Sequence, residues 1–372
     1  MYREVVSRIM FLSAGEIFGG VEAQLLDLNR CMSSRGLNAR TVLFHDSELA
    51  RRMRGSGLEP HILEQRGRYN PTAARDLRRL ISDSGCQLLH VHGYKAMVTT
   101  AVAGFVPNVA VVKTEHGLPE PQGSLLDKSK IRLNHRLDTW STRRLRAHVC
   151  YVTADIMRRS ERAHAGLPRR VIHNGIAPLD RAGRPRPAGL EPGLFHAGIV
   201  GRVSEVKGIV HALRALTSPV VPAHVRLDVI GTGPLLDALR YEAGVLGVAD
   251  RVRFHGFQRD ILDWIAHLDA LLMPSLHEGL PYTLLEAMSL GIPTVASRVG
   301  GLAEVLRHDE TGLLVEVGDA AGLAEALARL AGDPEVGRRL GEAAAREQRA
   351  RYTLTRMVDD YLEVYREAVA AR

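Results

Sequence analysis

The sequence is poor in cysteine and contains no long apolar run. Only three of its 372 residues are cysteine, Cys31, Cys86 and Cys150. Their odd number and wide spacing predict reduced thiols, and neither a disulfide framework nor a zinc site. No stretch of 18 apolar residues occurs, and residues 1–10 are charged without a long apolar segment. We therefore expect no membrane-spanning helix and no signal peptide, which predicts a cytoplasmic protein.

Aromatic residues are also scarce, at 5% of the chain, and the excess of positive charge lies in the first half. Residues 1–180 hold 27 Lys and Arg against 17 Asp and Glu, whereas the remainder holds 22 against 25. This imbalance predicts an anionic partner for the first half. A nucleic acid is disfavoured, because the arginine-rich segments contain no cluster of aromatic residues on which bases could stack.

The basic residues concentrate in a predicted helix, Leu125–Arg146, and in a second cluster from Arg158 to Arg170. Two interpretations stay open. Such residues can form an ordinary solvated helix face, or they can bind an anionic membrane surface or a polyanionic acceptor. Membrane binding would place the protein at the inner face of the cytoplasmic membrane.

Short apolar segments alternate with amphipathic helical segments along the whole chain. This pattern predicts parallel, doubly wound sheets of the α/β class. Residues 178–193 interrupt it with four prolines and three glycines in 16 residues, which predicts a linker between two domains. We therefore expect a first domain over residues 1–177, a second over 194–351 and a final helix over 352–372.

The most informative stretch is Leu271–Ser297, LLMPSLHEGLPYTLLEAMSLGIPTVAS. It predicts a strand ending at Met273, a loop with Glu278, a helix from Pro281 carrying Glu286, and a second strand. A helix start offers free N–H groups to an anion. The two carboxylates flank that position, where they could bind hydroxyl groups of whatever carries the anion.

A second loop supplies positive charge. In G-R-V-S-E-V-K-G, Arg202 follows a predicted strand and Lys207 precedes a predicted helix, so both cations could contact a diphosphate. Gly19 and Gly20 lie between the first strand and first helix and predict close backbone approach to a ligand. Their spacing is not the G-x-G-x-x-G of dinucleotide-binding proteins.

Two histidines, His90 and His92, share one side of a predicted strand. Such a pair could bind a metal ion, but no third ligand is near in sequence. We therefore expect a packed or hydrogen-bonded pair and no metal site.

Several of these motifs together resemble the retaining glycosyltransferases of family 4 (GT4). They are E-x7-E between P-S and G-I-P-T-V, G-R-x4-K-G, and the weaker G-G-x-E, H-N-G-I, G-x-G-P and V-x-F-x-G. The resemblance spans nearly the whole chain and is strongest over residues 198–315. It implies the GT-B fold, with two Rossmann-like domains, an interdomain cleft and a final helix that returns to the first domain.

The resemblance also implies a reaction, the transfer of a sugar from a UDP or GDP donor to a hydroxyl group of a lipid-linked or glycan acceptor. The anomeric configuration would be retained, and neither a metal nor another cofactor would be needed. By analogy Glu286 holds the ribose, Glu278 the sugar hydroxyls, and His116 lies close to the sugar and acceptor. The remaining implied contacts to the nucleotide sugar come from Arg202, Lys207, Gly19, Gly20, Gly256, Gly279 and Leu280.

Three alternatives compete with this interpretation. They are another GT-B enzyme acting on nucleotide sugars, such as an epimerase, an inert nucleotide-sugar-binding subunit, and a nucleic-acid-binding protein. The combination of E-x7-E with the Arg202 and Lys207 loop favours the transferase.

Overall fold

A computed structural model describes residues 8–16, 18–63, 71–104, 108–117 and 125–372. The chain forms two compact units. The first contains Met1–Asn174 and Leu354–Arg372, and the second contains Gly175–Thr353.

The first unit is built on a parallel sheet with the strand order β3-β2-β1-β4-β5-β6-β7. The strands are β1 Arg8–Ser13, β2 Asn38–Leu43, β3 His61–Ile62, β4 Leu88–His92, β5 Ala110–Glu115, β6 His148–Tyr151 and β7 Arg169–Val171. The helices that cover it are α1 Gly20–Ser34, α2 Glu48–Arg54, α3 Pro71–Asp83, α4 Tyr94–Ala103, α5 Leu125–Arg144 and α6 Ala154–Arg159.

The second unit repeats the plan with the strand order β10-β9-β8-β11-β12-β13, again all parallel. Its strands are β8 Phe195–Val200, β9 Val225–Ile230, β10 Val252–Gly256, β11 Ala270–Met273, β12 Thr294–Ser297 and β13 Leu313–Val315. Its helices are α7 Ile209–Ala215, α8 Leu236–Val245, α9 Ile261–Ala266, α10 Tyr282–Ser289, α11 Gly300–Val305, α12 Ala320–Gly332 and α13 Pro334–Arg351. The predicted doubly wound α/β architecture is confirmed.

The last helix, α14 Leu354–Ala370, belongs to the first unit. It buries one apolar face, including Tyr361 and Tyr365, in the same core as residues of α1 and β5. Both tyrosines are fully buried and hydrogen-bonded there. The helix is thus an integral part of the first unit although it comes last in the chain.

The Pro/Gly-rich residues 178–193 contain no helix or strand, but they pack within the second unit. The Leu179 N–H donates to Ser289 Oγ at 2.9 Å, and Arg184 forms an ion pair with Asp263 at 3.0 Å. The division between the units falls at Asn174 and Gly175, inside the H-N-G motif.

Three local predictions differ from the structure. The apolar segment Val109–Lys113 predicts a strand that ends at Lys113, whereas strand β5 continues two residues further, to Glu115. Pro281 is the N-cap of α10 in an extended conformation, and the first helical residue is Tyr282. The sequence predicts only a basic cluster at Arg169 and Arg170, whereas both residues belong to strand β7 and Arg170 pairs with Glu363 and Glu367 of α14. Across the part of the chain that the structure describes, no helix is long and apolar enough to cross a membrane.

Candidate functional site

The loops at the carboxyl ends of β8 and β11 are in direct backbone contact, and a glycine makes this possible. Gly208 has a φ of +60°, and a Cβ atom on it would lie 2.0 Å from the carbonyl oxygen of Pro274. No other residue fits there without moving the backbone. The Leu276 N–H also donates to the Val206 carbonyl at 2.7 Å. The residue before Gly208, Lys207, is therefore held against the loop that carries Glu278.

Lys207 and Glu278 form an ion pair, with 2.6 Å between Nζ and Oε1. Ser275 Oγ donates to the same carboxylate oxygen at 2.8 Å. The Lys207 and Glu278 side chains are only 20% and 11% exposed. Gly300 fixes the backbone behind Glu278, since a Cβ on it would lie 2.0 Å from the Glu278 carbonyl oxygen. Two residues that were predicted to hold the phosphate and the sugar are thus adjacent.

The other predicted residues near Lys207 and Glu278 lie in the same two loops, after β8 and β11, or on α10. Arg202 is exposed in the loop after β8 and forms no ion pair with a described residue. Glu286 is half-buried on α10, Gly279 is half-buried and Leu280 is buried in the loop before that helix. Parallel α/β sheets bind ligands outside the carboxyl ends of their strands, which is the edge that these loops form.

The loop after β10 is positioned by a carboxylate that the sequence analysis did not single out. Asp228 is fully buried in β9 and contacts His196 Nδ1 at 2.7 Å and His255 Nε2 at 2.6 Å. Burial alone would raise the pKa of Asp228, but the hydrogen bonds from the two histidines lower it. The Gly256 carbonyl accepts from the Gly231 N–H at 2.8 Å. The sequence signal that could have identified Asp228 is an acidic residue inside the otherwise mostly apolar strand V-R-L-D-V-I.

In the first unit, Gly19 and Gly20 form the start of α1. The Gly19 N–H donates to Glu22 Oε2 at 3.0 Å, so Glu22 caps the helix. Burial raises the pKa of Glu22. Helix capping therefore accounts for the glutamate of the G-G-x-E spacing without a ligand contact.

His116 follows β5 and is half-buried. Its Nε2 atom lies 3.0 Å from His92 Nδ1, and burial lowers its pKa to about 4. His90 bonds Thr114 Oγ1 at 2.8 Å and the Tyr365 hydroxyl at 2.6 Å. His90 and His92 are thus packed and hydrogen-bonded, as predicted. Within the described ranges no group of three His, Cys, Asp or Glu residues is placed to hold a metal ion.

A buried lysine, Lys113, lies on β5 three residues before His116. The side chain of Lys113 is 1% exposed and its ammonium group contacts the carboxylates of Glu115 and Asp138. Burial alone would lower the pKa of Lys113, but the two carboxylates outweigh it and raise the pKa. Thr142 Oγ1 lies 3.3 Å from the same nitrogen. The cluster anchors α5 to the end of β5, directly before His116.

Two family models match the chain, "Glycosyltransferase Family 4" over residues 18–178 and "Glycosyl transferases group 1" over residues 195–333. The chain is 33% identical over 172 residues to N-acetyl-alpha-D-glucosaminyl L-malate synthase of Bacillus anthracis, covering 46% of this chain and 44% of the relative. It is 34% identical over 173 residues to the lipopolysaccharide core biosynthesis glycosyltransferase LpsD of Rhizobium meliloti, covering 46% and 50%. The matched region spans about half the length of these curated relatives.

Solved structures resemble the chain over almost its whole length. HepE of Anabaena in complex with UDP-glucose has a TM-score of 0.81 at 21% identity, covering 96% of this chain and 98% of that one. The lipopolysaccharide glycosyltransferase WaaG has a TM-score of 0.74 at 16% identity, covering 96% and 99%. At this identity the likeness shows the fold. With both family models matched, the chain belongs to the family 4 glycosyltransferases and has the GT-B fold.

Proposed function

We propose that the protein transfers a sugar from a nucleoside diphosphate to an acceptor hydroxyl group, with retention of the anomeric configuration. The observation that carries this proposal is the contact between Lys207 and Glu278, 2.6 Å apart in the second unit. It joins the lysine of the G-R-x4-K-G motif to the first glutamate of the E-x7-E motif. A cation beside a carboxylate suits a ligand that presents phosphate and hydroxyl groups next to each other.

The proposed roles follow from charge. Lys207 and Arg202 stabilise the negative charge that develops on the leaving diphosphate, and the N–H groups at the start of α10 add to this. Glu278 binds sugar hydroxyls, and Glu286 binds the ribose. Because the protein supplies these cations itself, we propose that no divalent metal is required. We propose a UDP or GDP sugar as the donor, and HepE, which shares the fold, is described in complex with UDP-glucose.

The proposed acceptor is a lipid-linked or glycan molecule. One curated relative is named as a lipopolysaccharide core biosynthesis glycosyltransferase and another as an N-acetyl-alpha-D-glucosaminyl L-malate synthase, and the proposal follows the first. The basic first unit favours an acceptor with anionic groups.

The first experiment incubates the purified protein with UDP and GDP sugars and measures release of the free nucleotide, in magnesium and in EDTA. We expect slow release from one sugar donor, at the same rate in both buffers. An epimerase would instead convert the sugar without releasing nucleotide, and an inert subunit would bind without turnover. Loss of release in EDTA and its return with manganese would contradict the proposed role of Lys207 and Arg202.

The second prediction concerns Glu286. Replacing it by glutamine should weaken binding of the nucleotide by about 1–3 kcal/mol, because charge-assisted hydrogen bonds to the ribose are lost. Isothermal titration calorimetry with UDP and GDP measures this change. The matched control is Glu335→Gln on the exposed side of α13, which should bind like the wild type. Wild-type affinity in the Glu286 variant would remove this residue from the site.

We also propose that the first unit binds anionic membranes through α5. One side of this helix combines basic residues with large apolar ones, and Leu133 and Trp140 are 57% and 52% exposed. Arg144 lies over the Trp140 ring at 5.5 Å. An exposed indole among arginines suits the interface between lipid headgroups and acyl chains. The exposed residues of this face are Lys130, Arg132, Leu133, Arg136, Trp140, Arg143 and Arg144.

The third prediction tests this surface by sedimentation with phosphatidylglycerol and phosphatidylcholine vesicles. We expect binding to the anionic vesicles only, and weaker binding as salt rises, because salt screens the attraction. Arg132→Glu combined with Arg136→Glu should abolish binding. The matched control, Arg346→Glu with Arg349→Glu on α13, should retain it. Equal binding to neutral vesicles, or none to either, would overturn the assignment.

A further inference from the structure

The histidine that the proposed function places near the substrate uses only one of its two ring nitrogens within the protein. His116 Nε2 is 3.0 Å from His92 Nδ1, and the two rings are stacked with centroids 5.3 Å apart. His116 Nδ1 forms no hydrogen bond with a described residue, although the ring is half-buried. The state of Nδ1 therefore decides whether His116 offers a substrate a donor or an acceptor.

His92 determines that state. It is 1% exposed, and its Nε2 atom has no hydrogen-bond partner among the described residues. If His92 carried its hydrogen on Nε2, a buried N–H group would be left without an acceptor, which is rare in folded proteins. With the hydrogen on Nδ1, His92 donates to His116 Nε2 and only a ring acceptor stays unused. This is the less costly arrangement.

The surroundings keep both rings neutral and fixed. Burial lowers the pKa of His92 well below its ordinary value, and neighbouring His90 and His116 add to this. The His90 ring lies against His92 with centroids 4.3 Å apart. Hydrogen bonds between its two ring nitrogens and the hydroxyl groups of Thr114 and Tyr365 hold His90 in place. His92 therefore has little freedom to turn its ring over.

We propose that His92 is a positioning residue that holds His116 in the tautomer protonated at Nδ1. His116 then presents an N–H donor to an oxygen atom of the substrate and has no free lone pair there to act as a general base. The inference about the tautomer stands on the first unit alone, whereas its use on a substrate rests on the proposed function.

The tautomer can be read without any substrate, by two-bond 1H–15N correlation spectra of protein labelled with 15N-histidine at pH 7. The His116 signals are identified by their loss in His116→Gln. We expect the Nδ1 of His116 to resonate as a protonated nitrogen and its Nε2 as an unprotonated one. The reverse pattern in the wild type would overturn the proposal.

Two variants of His92 sharpen this test, because asparagine places an N–H group where histidine has Nδ1, and glutamine where it has Nε2. His92→Asn should keep the wild-type tautomer of His116, and His92→Gln should shift His116 toward the tautomer protonated at Nε2. Circular dichroism verifies that both variants are folded. An unchanged His116 tautomer in His92→Gln would show that His92 does not determine it.

The same pair of substitutions at His116 tests the donor role in turnover. His116→Asn keeps a donor at the Nδ1 position and should retain about tenfold more kcat than His116→Gln, the worth of one hydrogen bond. Equal or higher kcat in His116→Gln would contradict the donor role. If no nucleotide sugar is turned over by the wild type, the proposed function fails, while the spectra still decide the tautomer.

Discussion

Replacing Lys207 by alanine is expected to lower kcat by about 10²–10³-fold, the usual effect of removing one group that stabilises charge in a transition state. Of the two cations proposed for the diphosphate, Lys207 and Arg202, Lys207 is the one that an ion pair holds in position. The next residue, Gly208, packs directly against the Pro274 carbonyl group. Glu278 Oε1 lies 2.6 Å from Lys207 Nζ. The loss should fall mainly on kcat, because negative charge on the diphosphate grows as the sugar leaves. The steady-state rate of nucleotide release measures this loss of kcat.

Because Lys207 also holds Glu278, the experiment needs a double-mutant cycle. Lys207→Ala, Glu278→Gln and the double variant are compared with the wild type. If Lys207 acts on the diphosphate, the double variant should be much slower than Glu278→Gln alone. Equal rates for those two would mean that Lys207 only positions Glu278. Arg202→Ala should cost less than Lys207→Ala, because Arg202 is exposed and forms no ion pair with a described residue.

Replacing Lys113 by methionine is expected to destabilise the first unit by about 3–5 kcal/mol. The substitution keeps the length of the side chain but leaves the buried Asp138 and the half-buried Glu115 carboxylates without their cation. Chemical denaturation followed by tryptophan fluorescence can measure this in one unit at a time. Trp140 is the only tryptophan of residues 1–174 and 354–372, so a Trp264→Phe background isolates the first unit.

The control is Arg338→Met on α13 of the second unit, followed through Trp264 in a Trp140→Phe background. It also removes a cation from between two carboxylates, those of Glu335 and Glu342. All three groups are exposed, so water and salt replace the cation and the loss should be much smaller. A second test adds Glu115→Gln and Asp138→Asn to Lys113→Met, which should recover part of the stability. Wild-type stability of Lys113→Met would show that the cluster contributes nothing.

The α/β architecture could be predicted from the sequence, and the candidate site of the second unit could be proposed from it, because both depend on short-range patterns. The strand Ala270–Met273 can be recognised from its own residues, because it is an apolar run followed by a loop and by a segment with a helical pattern of apolar residues. Lys207 and Glu278 could be proposed as site residues because each is a charged residue in a loop and also belongs to a motif of the family, G-R-x4-K-G and E-x7-E. The missed strands β6 and β7 lack such an apolar run, since β6 begins with His148 and β7 begins with Arg169 and Arg170.

What the sequence by itself determined is therefore the alternation of elements, the parallel sheets and the residue types offered at the strand ends. Only the tertiary structure decided which of these residues touch. Lys207 and Glu278 are 71 positions apart, and His92 and His116 are 24 apart. Tyr365 reaches His90 across 275 positions. Local periodicity reports which face of an element is buried, whereas a contact between distant residues depends on the packing of whole elements, which no single segment encodes.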